Sequence, residues 1–324
     1  MRYGIGVDIG ATNLRVAIAR RDGVIIKKLS EKTVKGGDNL ALPNQIIGMI
    51  ERLLHETGLD LEEICGIGIG SIGPLDIRKG IIIKPANLPF ENVPLVEPLE
   101  DRFHIRVALL NDCTSAVVGE KYYGSGKNVE NLVYVTISTG IGGGVYVDGH
   151  LLLGKDGNAH EIGHLVVDPE GRLLCGCGSK GHWEAYCSGS GIPRFARLLI
   201  EEHYKEQYYK SLLGEMSGYN LDAIDAKMVY DAAKVYDSLT IKIVERINFY
   251  NAIGFADVIN VYDPTLITVG GSVALHNSEI ILPYVLNKTP KYVINKMPEI
   301  KITTLGDEIV LLGAIAASFK GLDL

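Results

Sequence analysis

The sequence has no cationic excess: 32 Lys and Arg stand against 39 Asp and Glu, a formal net charge of −7. A surface that coats nucleic acid or adsorbs to acidic lipid needs the opposite balance, so no nucleic-acid partner and no membrane partner is expected. Long apolar runs are also missing. The densest, Ile309 to Ala317, is about half of the roughly 20 residues that cross a bilayer. The opening residues, Met1-Arg2-Tyr3-Gly4-Ile5-Gly6-Val7-Asp8, read as a strand running into a carboxylate and not as an apolar signal region, so the expected location is cytoplasmic. Cysteines are few and odd in number, five, which suits a reducing compartment better than a stapled fold. No low-complexity linker interrupts the chain. What is present is 47% hydrophobic residues in 324, enough for a substantial core and, by length, for two closely joined domains.

Hydrophobic patterning gives an α/β reading. Residues 7–19 read as strand, small polar turn, strand, and residues 132–147 repeat that plan, each followed by an Asp-Gly turn (Asp22-Gly23, Asp148-Gly149). Two such hairpins about 130 residues apart point to two lobes of related architecture. A helix is predicted from about Asn39 to Thr57, with Gly58 as its C-cap, followed by buried strands Ile64–Ile69 and Val107–Leu110. The second half predicts helices from Pro193 to about Gly214 and from Ala226 to about Gly254. A strand Leu266–Val269 follows, and then a last apolar helix Ile309–Phe319 packed across a lobe interface.

Three pattern matches fail on chemistry. Gly68-x-Gly70-x-x-Gly73 follows a strand, but Pro74 comes next and no helix opens to hold a pyrophosphate. Gly149 to Lys155 approaches a P-loop, yet Asp156 stands where the hydroxyl for magnesium belongs. His160-Glu161-Ile162-Gly163-His164 fits a zinc-protease pattern that requires a helix, and Gly163 with Asp168-Pro169 beyond argues against one.

The paired hairpins are more informative. Their backbone N–H groups could cradle a nucleotide's phosphates, with Asp8 holding magnesium; one hairpin alone would be an ordinary β-turn. Asp8-Ile9-Gly10-Ala11-Thr12-Asn13, Asn111-Asp112, Ser138 to Gly144, Glu161-Ile162-Gly163-His164, Cys175-Gly176-Cys177-Gly178 and Gly270-Gly271-Ser272 stand in the order and spacing of the ROK sugar kinases. The chain resembles that family over essentially its whole length. The resemblance implies an actin-like, ribonuclease-H-related two-lobed α/β fold with ATP and a hexose in a cleft between the lobes. The small lobe would be 1–112 plus 306–324, and the large lobe, 113–305, would carry a zinc-bearing loop. It implies that Asp8, Gly10, Ala11, Thr12 and Asn13, with Thr139, Gly140, Gly142 and Gly143, contact the phosphates of Mg-ATP, and that Gly270 and Gly271 lie beside the adenosine. Asp112 would be the general base, since a sugar hydroxyl must lose its proton as the phosphoryl group arrives. Without the resemblance, Asn111-Asp112 reads equally well as a helix N-cap.

For the sugar the resemblance points to Asn87, Asn111, Asp112, Glu161, His164 and Glu184, short polar groups suited to vicinal hydroxyls. Cys175, Cys177, His182 and His164 would form a closed tetrahedral structural zinc site. Free thiols are the alternative reading of Cys175-Gly-Cys177. The sequence departs from the family at three places: His182 stands where a third cysteine is usual, His160 where Gly is common, and Phe90 where Trp is common. The resulting expectation is an ATP-dependent hexokinase acting on the 6-hydroxyl of glucose, working as a homodimer or larger homo-oligomer. An N-acetylhexosamine kinase or a fructokinase is the alternative within the family. A non-catalytic sugar-sensing protein is a weaker one: the family's repressors carry a DNA-binding helix-turn-helix ahead of the first hairpin, and only seven residues precede Asp8.

Overall fold

The first hairpin forms as the alternation predicts. Strands β1 (Tyr3–Ile9) and β2 (Asn13–Arg20) pair antiparallel with Asp8 opposite Arg15, and β3 (Ile25–Lys32) adds to β2. The computed structural model of the protein describes residues 2–85 and 89–321. Helix α1 (Ala41–Thr57) buries Ile46, Ile50 and Leu53 and ends at Gly58, whose φ of 65° is the left-handed conformation that a Cβ disfavours. β4 (Ile64–Ser71) then lies parallel to β1 on its other side. Three short strands, β5 (Leu75–Asp76), β6 (Ile81–Ile82) and β7 (Val93–Pro94), make a small antiparallel sheet. Helix α2 (Val96–Phe103) leads into β8 (Val107–Asn111), which joins β4 in parallel, and α3 (Asp112–Tyr122) starts at once.

The sheet order β3-β2-β1-β4-β8 is repeated later in the chain. β9 (Leu132–Ile137), β10 (Ile141–Val147) and β11 (His150–Leu151) form the second meander. Helices α4 (Trp183–Cys187), α5 (Gly191–Leu199), α6 (Lys205–Tyr208), α7 (Leu212–Met216), α8 (Ala226–Lys234) and α9 (Ser238–Tyr262) precede β12 (Leu266–Gly270). Helix α10 (Ser272–Lys288) connects β12 to its parallel partner β13 (Glu299–Ile302). The second order, β11-β10-β9-β12-β13, puts the opening strand of the meander at the centre as the first does. The duplication inferred from two glycine hairpins is therefore a duplication of sheet topology.

The chain forms two compact units. One runs from the N-terminus to Tyr134 and takes in Gly144–His160 and the chain from Thr303 onward; the other comprises Val135–Gly143 and Glu161–Ile302. The closing helix α11 (Ile309–Lys320), expected at a lobe interface, packs inside the first unit against β1, β4 and α3. Its approach is so close that a Cβ on Gly68 would lie 1.9 Å from the Ala314 carbonyl oxygen. Two of the glycines that mimic a dinucleotide fingerprint, Gly68 and Gly70, therefore seat a helix on a strand, and among the described residues no helix follows β4 until α2. Among the described residues no helix is long and apolar enough to cross a membrane.

Two long helices predicted for the second unit are interrupted. Between α8 and α9, Tyr236 takes a left-handed φ of 64° and the Asp237 side chain caps the next helix by accepting from Thr240 N–H at 2.9 Å. The segment from Pro193 passes through a π-helical turn, Ile200–Tyr204, and breaks before Ser211, whose hydroxyl caps α7. Conversely, α9 does not stop at Gly254. The missing side chain there makes room for the Trp183 indole, and the helix runs on to Tyr262.

Candidate functional site

In the first unit the expected site residues gather at one sheet edge. β1, β4 and β8 run parallel, and their carboxyl ends carry Asp8, opposite Gly70, and Asn111, opposite Ser71. Carboxyl ends of parallel strands are where α/β sheets present ligand-binding side chains. Asn111 caps α3, its Oδ1 accepting from Cys113 N–H at 2.9 Å, and Asp112 is the first helical residue. The cap and the expected catalytic position are thus neighbours: Asn111 takes the capping role, and Asp112 also accepts from Cys113 N–H, at 2.8 Å.

Asp8 is 6% exposed and hydrogen-bonded by Arg15, whose Nε donates to its Oδ2 at 2.8 Å. Burial pushes its carboxyl up from 3.8 to about 6; Arg15 opposes that shift, while the charges of Asp112 and Glu308 add to it. Asp8 and Asp112 therefore feel one another's charge, the setting in which a bound cation is most stabilising. The turn between β1 and β2 is closed by a hydrogen bond from Gly10 N–H to the Asn13 carbonyl at 3.0 Å, with Ala11 half-buried and Thr12 and Asn13 exposed. Arg15 escaped the sequence reading, although a seven-residue separation across a tight hairpin placed it directly opposite Asp8.

In the second unit the two expected nucleotide segments meet. Gly271 adopts φ 86°, and a Cβ there would lie 2.5 Å from the Ile137 carbonyl oxygen, so the end of β12 is pressed against the end of β9. The Ser138 and Ser272 hydroxyls are 3.2 Å apart, which brings Thr139 and Gly140 beside Gly270 and Gly271; Gly142 and Gly143 lie inside β10. Ser272 belongs to the Gly270-Gly271-Ser272 motif, but its pairing with Ser138, 134 residues away, was not legible in the sequence.

The remaining polar set surrounds the cysteine turn. His164 ends a short 3₁₀ turn, Ile162–His164, so the protease-like pattern sits on no α-helix. His160 bonds instead through Nε2 to the Leu152 carbonyl at 2.8 Å and holds φ 53°, a conformation that suits the glycine common there in the family. Ligand atoms of His164, Cys175, Cys177 and His182 all lie within 4.8 Å of one another. The nitrogens His164 Nδ1 and His182 Nδ1 are 3.2 Å apart; Cys175 Sγ is 3.7 Å from His164 Nδ1, and Cys177 Sγ is 3.3 Å from His182 Nδ1. A tetrahedral ion with metal–nitrogen and metal–sulfur bonds of about 2.05 and 2.3 Å separates its ligands by about 3.3 Å (N to N) and 3.6 Å (N to S). The donor set and its spacing can hold such an ion.

The other face of His164 looks toward the Glu161 carboxylate, Nε2 to Oε2 3.8 Å, a separation longer than a hydrogen bond. Glu161's carboxyl is raised by burial, with His164 opposing and Glu184 adding to the rise. Glu184 bridges two parts of the site. Its Oε2 accepts from Ile141 N–H at 3.0 Å, and its Oε1 is 3.5 Å from Cys175 Sγ. Three carboxylate or imidazole side chains thus stand within one charge-coupled cluster, able to offer several acceptors to a polyhydroxylated ligand. Asn87 lies outside the described residues. Phe90 is 6% exposed and belongs to the apolar core of the first unit.

The chain resembles known proteins over nearly its whole length. The model of the ROK family matches residues 4–318. The chain is 35% identical to a glucokinase of Pyrobaculum calidifontis, covering 98% of this chain and 95% of that one, and 35% identical to a glucokinase of Thermotoga maritima, covering 96% and 95%. The structure is similar to that of a ROK family glucokinase from Streptomyces griseus in complex with glucose and AMPPNP, with a TM-score of 0.78, 27% identity and coverage of 98% and 100%. Duplicated sheets, glycine hairpins and a cysteine–histidine turn in this order, matched from end to end by sequence and by structure, place this chain in the ROK family.

Proposed function

We propose that the protein is an ATP-dependent glucokinase that transfers the γ-phosphoryl group of ATP to the 6-hydroxyl of glucose. The observation that carries the catalytic part of this reading is the placing of Asp112 at the carboxyl edge of the first sheet, within electrostatic reach of Asp8. Asp112 acts as general base, accepting the hydroxyl proton as the phosphoryl group arrives. Asp8 is the carboxylate for magnesium, which when bound neutralises phosphate charge. Gly10, Ala11, Thr12 and Asn13, with Thr139, Gly140, Gly142 and Gly143, offer backbone and hydroxyl donors to the phosphates, while Gly270 and Gly271 leave the adenosine free approach to the backbone.

Asn87, Asn111, Glu161, His164 and Glu184 hold the sugar hydroxyls, and a sugar lacking one of them leaves a polar group of the site unpaired. His164, Cys175, Cys177 and His182 hold a structural zinc ion, the spacing of their donor atoms being that of a closed tetrahedral site. His164 would meet the metal through Nδ1, which leaves its Nε2–H for a sugar hydroxyl, with the Glu161 carboxylate beside it at 3.8 Å. The choice of glucose rests on the two glucokinases that share 35% of their residues with this chain.

Initial rates with ATP and a panel of glucose, mannose, glucosamine, fructose, N-acetylglucosamine and N-acetylmannosamine test the assignment. Glucose is expected to give the highest kcat/KM. Turnover of N-acetylmannosamine with none of glucose would overturn it.

A further inference from the structure

Helix α4 is a single turn, and Glu184 is its only residue that is not buried. The residue before Glu184, Trp183, is the one tryptophan of the sequence and is fully buried. Its backbone N–H donates to the Leu165 carbonyl at 2.9 Å, and its indole Nε1–H donates to Asn251 Oδ1 at 2.9 Å. The chain of bonds continues inward. Asn251 Nδ2 donates to Asn248 Oδ1 at 3.2 Å, and Asn248 Nδ2 donates to the Ile280 carbonyl on α10 at 3.3 Å.

Both asparagines sit on α9 with almost no exposure, where an apolar side chain would pack without the penalty of burying an amide. Nearby, the indole lies against Gly254, where a Cβ would stand 2.3 Å from Cδ2. The ring is therefore held in position by its packing and in orientation by Asn251. On the other side of Glu184, Tyr186 donates to Asp168 at 2.6 Å and accepts from Leu173 N–H at 3.0 Å. A one-turn helix has too few internal hydrogen bonds to hold its own orientation. Side-chain anchors at 183 and 186 supply it, and the group they orient is the carboxylate between them.

We propose that Asn251, acting through the Trp183 indole, is a positioning residue that aims Glu184 at the hexose and so sets the KM for sugar. The inference rests on the sugar-kinase reading above and deepens it. A group that meets the sugar in ground state and transition state alike contributes to KM and leaves kcat nearly unchanged.

The test compares Asn251→Leu, Asn251→Asp and Trp183→Phe with the parent protein, measuring kcat, the KM for hexose, the KM for ATP and the melting temperature. Asn251→Leu leaves the indole N–H without an acceptor, and Trp183→Phe removes the donor. Each is expected to raise the KM for hexose about fivefold or more while kcat and the KM for ATP stay within about twofold. Asn251→Asp is near-isosteric; protonated in the buried site, it keeps an acceptor for the indole and a donor for Asn248, and its hexose KM should stay within about twofold of the parent's. If Asn251→Leu fails to fold, Trp183→Phe reads the same bond. Folded Trp183→Phe with an unchanged hexose KM overturns the proposal, as does a loss shared equally by kcat and both KM values, or an Asn251→Asp variant as impaired as Asn251→Leu. Constants are taken with whichever hexose the parent phosphorylates. A parent that phosphorylates none refutes the kinase reading, whereas an active parent with insensitive variants refutes only the positioning role.

Discussion

Asp8→Asn should make the protein more stable while disabling it, and the size of the gain can be worked from the site. The folded carboxyl holds its proton up to about pH 6, whereas an exposed one releases it near 3.8. Between those values the folded state binds more protons than the unfolded state, so stability falls as pH rises through the window; the protonated-state contribution is fully present below 3.8 and lost above about 6. About two pKa units correspond to about 3 kcal/mol of disfavoured ionisation at pH 8. An amide is uncharged at every pH and avoids that cost. Arg15 keeps an acceptor in the amide oxygen and has Glu308 as a second partner at 3.6 Å.

Denaturant titrations of parent and variant at pH 4, 6 and 8 measure the difference. The gap should be close to zero at pH 4 and about 3 kcal/mol in favour of Asp8→Asn at pH 8, equivalent to a melting-temperature gain of about 6–12 °C for a unit of this size. Turnover should be lost, and Mg-ATP, which stabilises the parent, should stabilise the variant much less. A gap independent of pH, or a variant less stable than the parent at pH 8, would refute the burial argument, since the Arg15 bond would then outweigh the desolvation of Asp8.

Asp112→Asn should lower kcat by about 10²-fold or more with hexose binding retained by calorimetry, because the amide preserves shape and cannot take a proton; activity within a few-fold of the parent would remove Asp112 from the base role. Protein purified without chelator or affinity metal should contain about one zinc per chain by elemental analysis, and Cys177→Ser should lose it. Fully active parent without zinc would exclude the closed-site reading. Gly68→Ala should destabilise the first unit by about 3 kcal/mol or more, because its Cβ would meet the Ala314 backbone oxygen and neither element can retreat. A neutral substitution there would mean that α11 is not seated as described.

The sequence by itself determined the periodic parts. Strands β1, β4, β8 and β12 are short β-branched or apolar runs, and α1 is an amphipathic run closed by Gly58, so local alternation and capping located them. Ordered motif spacing determined more: the glycine hairpins, Asn111-Asp112 and the cysteine turn were identifiable as a set although none is diagnostic alone. Only tertiary structure decided what the ambiguous residues are for. Gly254 reads as a helix end until the Trp183 ring is laid over it, and Gly68 reads as a phosphate turn until α11 is packed on it. Asn111 and Asp112 could not be separated into cap and candidate base from one dimension, because both are short polar groups at a helix start and differ only in which atom reaches the backbone. The breaks at Tyr236 and Ser211 depended on a left-handed residue and a side-chain cap, local geometries that hydrophobic periodicity does not register. The coupling of Asp8 to Arg15 and Glu308, and of Trp183 to Asn251, joins residues far apart in sequence as well as near neighbours across a hairpin. Such pairings are fixed by sheet register and helix packing, which arise only when the whole chain has closed on itself.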